Sequence, residues 1–179
     1  LSLGQLELDY YQHFILAKLF EKFNTIYFKG GTCLQKCYGI KRFSEDLDFN
    51  YEGIEIEEII NFIEDLFDEK VSDIYETKFG ISFSIKFKGI LFDGDERSRC
   101  KISFDFRKND VYNRSIKKII RPVYADLPSY FLLALDEEGQ RTNYQLGQAV
   151  PNLIDMAYDE FLKMDKPPEN RQEFIDIIE

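Results

Sequence analysis

Apolar and polar positions alternate along this chain in a way that divides it into helices and strands before any chemistry is considered. Leu8, Tyr11, Ile15, Leu19 and Phe23 recur at helical spacing, which predicts a helix over residues 5 to 23 packed beside the strand that follows. Ile26, Tyr27 and Phe28 form a short β-type run, broken by Gly30 and Gly31. A short helix is predicted over 33 to 38, with Thr32 as its N-cap and Gly39 as its terminator. After a loop at Lys41, Arg42 and Phe43, residues 44 to 49 are again strand-like. Residues 54 to 70 place Ile56, Ile59, Ile60, Ile63, Leu66 and Phe67 on one helix face, with a solvated carboxylate face opposite. Ile81, Phe83, Ile85 and Phe87 alternate with Ser82, Ser84, Lys86 and Lys88, the pattern of a half-buried strand. A polar turn at 94 to 98 then leads into Ile102, Phe104 and Phe106, alternating with polar residues, and the two runs predict an antiparallel hairpin.

Beyond this hairpin the pattern is less regular. Lys108, Arg114, Lys117, Lys118 and Arg121 make residues 108 to 121 basic, either a guide for a polyanionic acceptor or a solvated linker face. The run from Tyr130 to Leu135 reads as a buried strand or a helix start, and residues 151 to 166 and 170 to 178 read as helices. The expected fold class is α+β: a small mixed sheet of strands near 26–29, 46–50, 81–88 and 100–107, with helices on one side. Residues 1–121 would form the core and residues 122–179 a helical C-terminal part.

Composition narrows this picture. The chain has 179 residues, 44% of them hydrophobic, enough for a domain with a real core. A net charge of −10 argues against a broad, nonspecific nucleic-acid surface, though not against a local basic groove. No apolar run reaches membrane-spanning length and no signal peptide opens the chain, so a cytoplasmic location is expected. A start at Leu1 rather than Met reads as a chain lacking its natural beginning. Cys33 and Cys37 lie four apart on the short helix without further Cys or His nearby, so they read as helix packing rather than a zinc site. His13, the only histidine, is expected to be a half-exposed packing or solvent residue; no nucleophile elbow accompanies it to support a hydrolase.

Chemistry concentrates in IYFKGGTCLQKCYGIKRFSEDLDFN, residues 26 to 50. The diglycine and hydroxyl at a helix start make an anion site suited to phosphate. Asp46 and Asp48 are two apart on a strand and so share a face, where two carboxylates call for a cation such as Mg²⁺ with a bound triphosphate. Asp105, an acid between Phe104 and Phe106, is placed either to complete that site or to pair with Lys86 or Arg107 across the hairpin.

Gly-Gly-Thr, a short helix and then Asp-x-Asp on a strand resemble the signature of the DNA polymerase β-like nucleotidyltransferases. The longer string KGGTCLQKCYGIKRFSEDLDF resembles the abortive-infection toxins of the AbiEii type, from type IV toxin–antitoxin systems. The resemblance spans roughly residues 5 to 107. It implies a polymerase β-like core and transfer of an NMP from an NTP, with Mg²⁺, to an RNA (tRNA-like) or protein acceptor. Asp46, Asp48 and Asp105 would be the catalytic metal ligands, and Gly30, Gly31, Thr32, Arg42 and Ser44 would hold the nucleotide. It also implies a separately encoded antitoxin that opposes the effect without requiring a stable complex. The match fails near the end: family toxins carry a lysine-bearing helix and then an Arg-Asp-x-x-Asp-like segment, where this chain has NRQEFID at 170 to 176, and neither Lys163 nor Lys166 is assignable to the family lysine. Such toxins also continue beyond this length. A module of the same fold that binds nucleotide or a partner without turnover, and a small-molecule (antibiotic) nucleotidyltransferase, are the competing readings.

Overall fold

The computed structural model describes residues 1–108, 115–136 and 139–140. Two compact units divide the chain, Leu1–Gly139 and Gln140–Glu179. The predicted helices at 151 to 166 and 170 to 178, with Lys163, Lys166 and the 170 to 176 segment, lie outside the described residues, as does Arg114.

In the first unit, helix α1 spans Leu3–Lys22 and starts on a capping box in which Ser2 and Gln5 satisfy each other's backbone N–H groups. Strand β1 (Ile26–Lys29) runs directly into α2 (Gly30–Tyr38), followed by β2 (Leu47–Tyr51) and α3 (Ile56–Phe67). The remaining strands among the described residues are β3 (Val71–Thr77), β4 (Gly80–Phe87), β5 (Cys100–Lys108), β6 (Ser115–Ile120) and β7 (Tyr130–Leu135), with a 3-10 turn at Glu96–Ser98 before β5. All seven strands form one mixed sheet in the order β3-β4-β5-β2-β1-β7-β6. The predicted hairpin is β4–β5, antiparallel from Gly80 opposite Arg107 to Phe87 opposite Cys100. At the sheet's centre β2 lies antiparallel to β1 and parallel to β5.

The sheet is larger than the sequence pattern predicts. The boundary expected after residue 121 falls inside it, because β7 pairs in parallel with β1 and extends the unit through Gly139. The basic segment is not a linker face: its second half is the edge strand β6, paired with β7. Lys117 and Lys118 therefore stand on opposite faces, with Lys117 over the Phe131 ring and Lys118 over the Tyr38 ring of α2. Among the described residues no helix is long and apolar enough to cross a membrane.

One face of the sheet is the core. Phe28, Phe49, Phe83, Phe104 and Phe106 are all buried, and their rings pack in series, with Phe49 stacked on Phe106 at 4.8 Å and Phe83 on Phe104 at 5.1 Å. Each such ring removed from water stabilises the fold by roughly 1.5–3 kcal/mol. Strand alternation then sends their neighbours Lys29, Asp48, Asp105 and Ser82 to the opposite face.

Candidate active site

The four neighbours form a row. Lys29 on β1 is the direct partner of Asp48 on β2, Asp48 is the partner of Asp105 on β5, and Asp105 is the partner of Ser82 on β4. The apolar alternation around each position fixes its face, and strand register fixes its place in the line. Asp105 accepts hydrogen bonds from Ser82 Oγ at 2.8 Å and from Arg107 Nε at 2.9 Å, so both its oxygens are held. Of the two cations considered for Asp105, Arg107 is its partner, whereas Lys86 lies opposite Lys101. Asp105 nonetheless stands beside Asp48, so pairing with Arg107 and a place in the row go together.

Burial raises the Asp48 carboxyl to about 6, and the neighbouring Asp105 charge adds to the effect against the opposing pull of Lys29. Burial also lowers the Lys29 ammonium, with Asp105 and Asp48 pulling it the other way. Lys29 stands in the family-like string of the sequence without an assigned role, although the alternation of Phe28 and Lys29 opposite Asp48 and Phe49 is the signal that finds it.

Asp46 differs from its expected placement. It precedes β2 rather than lying on it, and it is exposed. Among the described residues no three His, Cys, Asp or Glu side chains stand close enough to hold one ion, so the tight pair is Asp48 and Asp105, with Asp46 at its margin.

Buried polar contacts pin the loop that carries Asp46. Gln12 Nε2 donates to the Ser44 and Glu45 carbonyls, both at 3.0 Å, and the Ser44 N–H donates to Gln35 Oε1 at 3.1 Å. Thr32 Oγ1 donates to the Asp46 carbonyl at 2.5 Å. Thr32 is therefore not the N-cap expected of it. Helix α2 begins three residues earlier than expected, with Lys29 as N-cap, and Thr32 is a buried tie between the helix and the acidic loop. Gly39 ends the helix in the left-handed conformation, as the sequence predicts.

The glycines have a reason that the sequence does not display. Gly30 has φ +75°, and a Cβ there would collide with the Asp48 carboxylate; a Cβ on Gly31 would lie 2.7 Å from Ser44 Oγ. Their missing side chains let an acid and a hydroxyl approach the helix start. Arg42 is exposed in the loop. A separate cleft of about 270 Å³, lined among others by Tyr51, Glu57, Glu76 and Lys108, contains none of the acids in the row.

The fold is α+β, and it sets two acids on parallel neighbouring strands next to a diglycine helix start, the arrangement that the polymerase β-like resemblance implies. Residues 13–139 match the family model described as nucleotidyl transferase AbiEii toxin, type IV toxin–antitoxin system, and the chain belongs to that family. No curated protein matches the sequence. Among solved structures, MenT4, a nucleotidyltransferase toxin from Mycobacterium tuberculosis H37Rv, is similar at 19% identity and a TM-score of 0.55, over 75% of this chain and 49% of MenT4. JHP933 from Helicobacter pylori is similar at 16% identity and a TM-score of 0.56, over 99% of this chain and 66% of that protein. A putative nucleotidyltransferase from H. pylori is similar at 16% identity and a TM-score of 0.53, over 99% of this chain and 68% of that one. The chain thus spans about half the length of MenT4 and about two thirds of the H. pylori proteins. At these identities the likeness is one of fold.

Proposed function

We propose that this protein is a metal-dependent nucleotidyltransferase acting as the toxin of a toxin–antitoxin pair. The observation that carries the reading is the side-by-side placement of Asp48 and Asp105, with burial and mutual repulsion raising Asp48. A purely structural pair of strands gains nothing from two adjacent carboxylates on an open face. The donors are hard carboxylate oxygens and fit Mg²⁺, with Asp48 and Asp105 as the central ligands and Asp46 as the marginal one. Bound there, the ion would neutralise charge on the triphosphate and the developing transition state.

The chain's own groups supply the rest. The Gly30 and Gly31 backbone, with Ser44 and Arg42 at the rim, would cradle the polyphosphate. Thr32 acts through the Asp46 carbonyl, positioning the loop. Asp105, oriented by Ser82 and Arg107, would receive the proton of the attacking acceptor hydroxyl. That oxygen bonds to the α-phosphorus as the bond to pyrophosphate breaks, leaving an NMP on the acceptor. An RNA, in particular a tRNA-like end, or a protein would be the acceptor, and a separately encoded antitoxin would oppose the effect.

The test is transfer of label from each α-labelled NTP, with Mg²⁺, into cell RNA and total protein. Label transfer by the wild type and a loss on the order of 10³-fold in Asp48→Asn and Asp105→Asn, both folded by circular dichroism, is the expected result. NTP binding without transfer would identify a binding module of the same fold instead.

A further inference from the structure

Lys29 carries a charge that the structure leaves open. It is the last residue of β1 and the N-cap of α2, on the same sheet face as Asp48 and Asp105. Direct cross-strand partners have Cβ atoms about 5 Å apart, well within the reach of a lysine. Yet among the described residues Lys29 forms no ion pair within 4.0 Å. Lys36 shows the contrast: buried on α2, the helix that Lys29 caps, it closes onto Asp9 at 2.7 Å. Taking an ammonium out of water without closing it onto a partner is costly, typically several kcal/mol, and a bound anion offsets that cost.

A cation at this end of the row cannot ligate a metal, since an ammonium has no lone pair to give. Asp48 and Asp105 carry the oxygens that would hold a metal, and in the first turn of α2 the Gly31 and Thr32 N–H groups have no partner within the helix. The ligand that joins all three chemistries is a polyphosphate, which accepts from N–H groups and from an ammonium and binds a cation through its oxygens.

We propose that Lys29 is the specificity-determining residue that reads the polyphosphate tail of the nucleotide, distinguishing a triphosphate from a monophosphate by direct contact with its non-bridging oxygens. This rests on the nucleotidyl-transfer reading. Without nucleotide, Lys29 lies near the acid pair without closing onto it; a bound nucleotide would draw the ammonium to its phosphate chain and leave Asp48 and Asp105 to hold Mg²⁺.

Calorimetry on the full chain tests the assignment, with the four NTPs and the matching NMPs, in EDTA and again with Mg²⁺. Lys29→Met should weaken NTP binding about 10- to 100-fold in EDTA, the contribution of a charge-assisted hydrogen bond, and leave NMP affinity within about twofold. Lys29→Arg should restore most of the loss. Lys29→Gln, which keeps length and polarity, should behave like Lys29→Met and provides the test if the methionine variant does not fold. NTP affinity unchanged in the folded variants, or NTP and NMP weakened alike, would overturn the assignment while leaving nucleotidyl transfer standing. No NTP binding by the wild type, with or without Mg²⁺, would overturn both.

Discussion

Two clusters of charged side chains lie in the same unit and are built on opposite plans. The first joins α1, α2 and the strand β7 region: Asp9 accepts from Lys36 at 2.7 Å and from the Tyr124 hydroxyl at 2.8 Å, and His13 Nδ1 shares a hydrogen bond with the Tyr130 hydroxyl at 2.8 Å. His13 is buried, not half-exposed as its sequence context suggests. The second cluster is the row on the open sheet face, where two acids adjoin and a lysine beside them stays unclosed. In the first, the charges answer one another; in the second, Arg107 answers Asp105, while among the described residues Asp48 and Lys29 close onto no ion pair within 4.0 Å. A closed network holds elements together, whereas an open one marks where a ligand supplies the missing charges.

The contrast breaks most sharply in the closed cluster. Removing one partner of a buried ion pair leaves an uncompensated charge, so Lys36→Met should cost about 3–5 kcal/mol in chemical denaturation. NTP affinity of the folded fraction should stay unchanged. A large loss of nucleotide affinity with unaltered stability would erase the distinction between the clusters.

A smaller effect, of opposite sign, separates them by pH. His13 is held down to about 4 by burial and by Lys36, so its neutral form is the folded one. Its contribution is present above pH 6.5 and is lost as pH falls toward 4, because the unfolded chain takes up the proton first. Asp48 is raised to about 6, so its folded carboxyl stays protonated where the unfolded one has ionised. Its contribution is present below pH 4 and is lost as pH rises through 6. In EDTA, Asp48→Asn should therefore gain about 1–3 kcal/mol at pH 8, with the gain vanishing near pH 4. Thermal melts of wild type and variant across pH 4 to 8 measure this, and parallel curves would refute the strained-acid account.

The smallest effect expected concerns orientation within the open cluster. Arg107→Ala leaves Asp105 held by Ser82 alone, and initial transfer rates should fall about tenfold, comparable to the loss of a supporting contact at a metal site. An unchanged rate would mean that Ser82 suffices.

The sequence made some of this visible and concealed the rest for identifiable reasons. Leu47-Asp48-Phe49 and Phe104-Asp105-Phe106 show an acid between apolar residues, and that alternation alone sets Asp48 and Asp105 on the face away from the core. Their adjacency rests on the parallel register of β2 and β5, which no local pattern encodes. Strand β3 leaves no clean alternation in the sequence because it is largely exposed, carries Asp73 at φ 53°, and shifts register between Ser72 and Tyr75. Strand β6 is an edge strand studded with lysines, which read as solvation although they also guard an open edge against mispairing. The partner of His13 lies on β7, far along the chain, so its burial could not be read from the helix alone.

The parallel pairing of β2 with β5 also governs when the site comes into being. Parallel neighbours cannot be joined by a tight turn, and here α3 and the β3–β4 pair intervene between them. The acid pair is therefore a long-range contact, assembled only after a large loop has closed, and such contacts form late in folding. A chain still emerging from the ribosome already contains Asp46 and Asp48 but has no strand beside them to deliver Asp105. On the proposed reading, the growing polypeptide is harmless to the machine that makes it, and potency arrives abruptly with the closing of the sheet.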